Sequence, residues 1–184
     1  MVVSGAAGFP LKLGPAVRYM ILKESELYGV EDVSYEESTS RLLFCDKALL
    51  LPGVVVEVNL THGMSADLRY FRCGYNPCYV IVSDTTALYP PDRSGSLSLF
   101  ELGLKRDFEG LHLRPGLELQ RYREEWTDPF DGGQNSLDST TVGPFFAVGT
   151  SMNLSPVELR MEMGLVFPGL DDVQGKITFM LLAP

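Results

Sequence analysis

Histidine, cysteine and tryptophan are scarce in this chain: two, three and one among 184 residues. His62 and His112 each lack a neighbouring ligand in sequence, and neither has the spacing to a cysteine that a zinc site needs. Cys45, Cys73 and Cys78 are too few, and odd in number, for a disulfide scaffold. "CGYNPC" sets Cys73 and Cys78 on either side of turn residues, where they either face each other or sit as buried free thiols. Basic residues are in the minority, 15 against 24 acidic, for a net charge of −9. That balance argues against nucleic acid and anionic membrane surfaces, and leaves room for a basic protein partner. No apolar run approaches the roughly 20 residues of a membrane-crossing helix, and no basic-plus-apolar leader opens the chain. The expectation is therefore a soluble protein of a reducing, intracellular compartment, with no membrane. Asn59-Leu60-Thr61 fits a glycosylation sequon, which such a compartment leaves without meaning. No Gly-x-Ser-x-Gly or phosphate-loop motif is present.

What is present is mostly strand signal. With 45% apolar residues and a mean hydropathy of +0.06, the chain is globular and long enough for one large domain or two small β units. Segments such as "AVRYMILK", "ALLLPGVVVEVNL", "GLHLRPGLELQRY" and "GKITFMLLA" are short, rich in branched or aromatic residues, and separated by Gly, Pro, Asn, Asp and Ser. In "VELRMEM" the alternation puts Val157, Leu159, Met161 and Met163 on one face, predicted to meet the core with Phe179 and Leu181. The reading is all-β, an antiparallel barrel or sandwich in a single domain over 1–184. "LKESELYG" and "RYREEW" are the helix candidates. Pro52-Gly53 and Pro115-Gly116 sit in similar contexts, as do "FELGL" and "MEMGL", which suggests related sub-units over 1–105 and 106–184. The acidic, turn-rich stretch from Arg123 to Thr141 reads as a surface loop or linker. Its Trp126, with Glu124, Glu125 and Asp128, either anchors a protein partner or folds back onto the body.

Two turns offer chemistry. Arg93, Ser94 and Gly95 in "DRSGS" form either a phosphate-holding loop or a plain hairpin turn. Asp171 and Asp172 in "FPGLDDVQGK" are either a carboxylate pair for a base or a metal, or ordinary turn composition.

Together with "SGAAGFPLKL", these turns resemble the three motifs of the dUTPase superfamily, and "ALLLPGVVVEVNLTHGM" is similar to the strand before its second motif. A two-unit chain is most like the herpesvirus branch, which includes members that kept the fold and lost the enzyme. The resemblance implies a dUTPase-like protein of viral type in the host cytoplasm or nucleus. It would act by binding a host or viral regulatory protein. The departures imply no catalytic residue: Pro10 stands at the family's first-motif Asp, and Leu170 and Val173 at its catalytic Asp and its Tyr. The alternatives are an active nucleotide pyrophosphatase or a virion-associated structural β protein. The enzyme would use Asp171 or Asp172 as base, Arg93, Ser94 and Gly95 for phosphate, and magnesium. Otherwise no cofactor or metal is expected.

Overall fold

A computed structural model describes residues 11–21, 39–44, 48–61, 63–75, 77–83, 86–88, 94–127, 132–168 and 173–183. Eight antiparallel strands close into a barrel: β1 (Leu11–Ile21), β3 (Ala48–Thr61), β4 (Met64–Tyr75), β7 (Ser94–Phe108), β8 (Leu111–Thr127), β9 (Gln134–Leu154), β10 (Val157–Val166) and β11 (Gln174–Leu182). Each pairs with the barrel strand before and after it, and β1 closes against β11. A small second sheet holds β2 (Thr39–Phe44), β5 (Pro77–Ser83) and β6 (Thr86–Leu88).

The pairing register defines the barrel's shape. A row of partners leaves β9 at Ser151 and passes through Arg160, Met180, Ala16, Gly53, Phe71, Leu99 and Gln120. It re-enters β9 at Thr141, ten residues nearer that strand's start. A stagger of ten residues over eight strands requires a tilt of roughly 40° from the barrel axis.

The two ends differ. At one, β3–β4, β7–β8 and β9–β10 are each joined by two residues. Gly63 (φ 75°) and Gly110 (φ 93°) supply the positive φ that two of these tight turns require. At the other end the connections are long. Residues 22–47 join β1 to β3 and 76–93 join β4 to β7, and between them they carry the small sheet.

All-β and antiparallel hold as expected, and of the two architectures expected, barrel or sandwich, the barrel is the one formed. Several finer expectations do not. The barrel is one closed meander rather than two related units, and residue 105 falls inside β7. "RYREEW" is strand, part of β8, because its alternate residues face opposite sides of the wall. "LKESELYG" lies outside the described residues. The stretch from Arg123 to Thr141 is largely the paired end of the β8–β9 hairpin, not a free loop. Leu159, Met161, Met163, Phe179 and Leu181 point outward and are exposed; their strand-mates Arg160 and Glu162 are buried. The alternation was real, but its two faces are reversed.

Candidate functional site

That reversal runs around the whole barrel. The outward positions carry large apolar side chains on all eight strands: Leu13, Leu50, Leu68, Leu102, Leu117, Phe146, Met163 and Phe179 represent one strand each and are 46–65% exposed. Among the described residues, 28 large hydrophobic side chains are exposed. Soluble monomers rarely show a contiguous apolar patch above a few hundred Å². On β9 the outward positions from Val142 to Leu154 are apolar except for Thr150; the twelve steps between them are about 40 Å along the strand and about 30 Å along the axis at this tilt. An apolar groove of about 420 Å³ crosses the belt between Tyr19, Phe146, Met163, Leu165 and Ile177. Beyond the belt on the long-loop side the outward residues turn polar, with Arg72, Ser96, Ser98, Arg121, Arg123 and Asp138. Among the described residues no helix is long and apolar enough to cross a membrane, which leaves a spanning barrel open.

The inward positions hold the charge. Arg18, Arg69, Arg114, Arg160, Lys105 and Lys176 are buried alongside Glu57, Asp67, Glu101, Glu118, Glu124 and Glu162. Among the described residues six buried cations stand against six buried carboxylates, so these interior groups carry no net charge. A buried ion is costly unless paired and hydrogen-bonded, and the pairs here interlock. Arg114 donates to Asp67 and, at 2.9 Å, to Glu101. Arg69 bridges Asp67 and Glu162, and His112 lies 2.9 Å from the same Glu162. Arg18 donates to Glu118 at 2.8 Å, while Lys176 reaches both Glu118 and Glu101. Arg160 joins Glu57 to Glu158, and Lys105 donates to Glu57 at 3.2 Å. The guanidiniums also stack on rings, Arg18 over Phe71 at 4.2 Å and Arg114 over Phe145 at 4.5 Å. Inward glycines make room: a Cβ on Gly103 would meet the Arg114 guanidinium at 2.5 Å. A second inward zone is apolar, with Met20, Leu49, Leu51, Phe71, Leu97, Leu99 and Tyr122 packed together. The described interior is therefore filled by side chains.

The residues singled out from sequence scatter. Ser94 and Gly95 lie on β7 directly opposite Glu125 and Glu124 of β8. Glu124 is buried inside the wall, where it accepts a 2.6 Å hydrogen bond from the Tyr75 hydroxyl, so it is not presented outward. Glu125 is exposed and pairs with Arg123 at 2.9 Å. Trp126 is half-buried, opposite Asn135. Arg93, Asp128, Asp171, Asp172, Pro10 and Leu170 lie outside the described residues, as do His62, Cys45 and the side chain of Cys78. Among the described residues no three His, Cys, Asp or Glu side chains are grouped as metal ligands would be. The interior ions went unnoticed in the sequence. Their signal is charge at every second position, as in Asp67-x-Arg69 and Glu158-x-Arg160-x-Glu162, set against apolar residues between.

No family model matches the chain, and no curated protein sequence does. Several solved structures share its fold. Ail, the attachment invasion locus protein of Yersinia pestis, superposes with a TM-score of 0.53 at 12% identity, over 94% of this chain and 95% of that one. The outer membrane protein OprG of Pseudomonas aeruginosa does so with a TM-score of 0.51 at 9% identity, over 94% and 92%. A closed eight-stranded meander shared with these barrels overturns the resemblance to the dUTPase superfamily, whose turn motifs were matched by common Gly, Pro and Ser residues. The viral-type regulator inferred from it falls as well. So does the expectation of a soluble protein of the host cytoplasm or nucleus with no membrane, since an apolar belt encircles the wall where such a protein would meet water.

Proposed function

We propose that this chain is an integral membrane barrel of the outer-membrane type. It would be held in the bilayer by its apolar belt, with its long connections on one side and its two-residue turns on the other. The carrying observation is the inversion of the wall, large apolar residues outward on every barrel strand and paired ions inward. Short turns at one rim and longer loops at the other match the usual division between the inner and outer sides of such barrels. The filled interior favours presentation of the loops over transport: interlocked ion pairs and the Met20–Tyr122 apolar cluster occupy the space a water-filled channel would need. The test is refolding in the presence and absence of lipid vesicles. The expected outcome is a β-rich protein that floats with the vesicles and resists alkaline extraction. A monodisperse β protein in detergent-free buffer would overturn the reading.

A further inference from the structure

The belt ends, on the long-loop side, in an orderly pair of rows. Tyr70, Phe100 and Leu119 are partners across β4, β7 and β8, and their outward side chains close the apolar zone; the Tyr70 and Phe100 rings lie 4.7 Å apart. Two residues further along each strand, the next outward row is Arg72, Ser98 and Arg121. Both arginines are exposed, and no carboxylate belongs to this row. Arg72 has no ion pair among the described residues. Arg121 shares two of its five N–H donors with Asp138 of the row beyond, at 3.0 and 2.6 Å, which fixes the guanidinium and leaves donors over.

We propose that Arg72, Ser98 and Arg121 form a binding site for the phosphate of an anionic membrane lipid, whose acyl chains lie on Tyr70, Phe100 and Leu119. The proposal rests on the membrane reading above. Two strand spacings separate the arginines, about 10 Å between backbones, so both long side chains can converge on one headgroup above Ser98. The stagger of the barrel lifts Arg121 roughly 6 Å further from the belt's middle than Arg72. The lower guanidinium therefore sits at the hydrocarbon edge and the upper one at headgroup depth. Arginine suits the task because its planar fork matches phosphate oxygens in pairs. Basic side chains at this depth draw anionic lipids to a membrane protein.

The experiment is native mass spectrometry of the full chain, released from vesicles of equal zwitterionic and anionic phospholipid. The wild type is compared with R72A/R121A and with R106A, an arginine near the short-turn rim. The expected result is retention of anionic over zwitterionic lipid by wild type and R106A, with at least a tenfold loss of that preference in R72A/R121A. Inorganic phosphate should not displace the lipid. Equal retention by wild type and R72A/R121A, no headgroup preference, or displacement by inorganic phosphate would overturn the site while leaving the membrane reading intact. A wild type that never enters the vesicles would overturn both. Because the exchanged residues are exposed, R72A/R121A is expected to keep the β-rich circular dichroism of the wild type. Loss of that signal would overturn the assignment of these arginines to lipid rather than to folding.

Discussion

Arg114 and Leu102 show what the wall demands of single residues. Arg114 is fully buried between Asp67 and Glu101, so Arg114→Ala takes one partner from each, leaving Asp67 to Arg69 and Glu101 to Arg18 and Lys176. Breaking a buried pair in this way costs about 3–5 kcal/mol. Urea unfolding in vesicles should show that loss. Leu102, 60% exposed in the belt, gives the complementary test. On a water-facing surface Leu102→Arg would change stability by no more than about 0.5 kcal/mol, whereas an arginine facing lipid at mid-depth costs about 2–4 kcal/mol. The same unfolding measurement decides between them.

Individual elements carry two further expectations. At the seam between β1 and β11, Pro15 has no N–H to give the ladder, and pairing resumes only at Leu13 with Ala183. There Gly14 lies so close to β11 that an added Cβ would meet the Leu181 backbone carbonyl at 1.8 Å. Backbone cannot swing aside as a side chain can, so Gly14→Ala should cost more than about 1 kcal/mol in urea unfolding, the lower end of overpacking. On the β8–β9 hairpin, the hydrogen bond from Arg121 holds the Asp138 carboxyl below its ordinary value of 3.8, and Arg121 itself is shifted upward. A lowered carboxylate keeps its pair at every pH above the unfolded value and loses it only as pH falls through the folded one. The hairpin pair should therefore be constant from about pH 5 to 8. An Asp138 midpoint at or above 3.8 in a carboxyl NMR titration would contradict the pairing.

The whole molecule balances two solvents. Among the described residues six buried cations balance six buried carboxylates, and the apolar belt faces outward on all eight barrel strands. Planar-bilayer recording should then give no steady unitary conductance, because ion pairs and apolar side chains fill the described lumen. A lasting open level would contradict that filling.

Strand content and antiparallel pairing were legible in the sequence, because alternation with period two and frequent turn residues are local properties; closure was not, since the same signals allowed a barrel or a sandwich. Nor was the direction of the alternation. In "VELRMEM" the pattern separates Leu159, Met161 and Met163 from Arg160 and Glu162, but it says nothing about which set faces the barrel axis. The usual rule assigns the apolar set to the inside, since water is assumed outside. The lack of a long apolar run has a related reason: a tilted strand crosses a bilayer in about ten residues of alternating character, with no run of twenty. Only closure of the sheet brought Asp67, Arg69, Glu101, Arg114 and Glu162 together from four strands, and only then could their charges satisfy one another. The sequence determined two chemically opposite faces on each strand. The tertiary structure decided which face is inside, because a buried ion is tolerable only where its partners arrive from other strands.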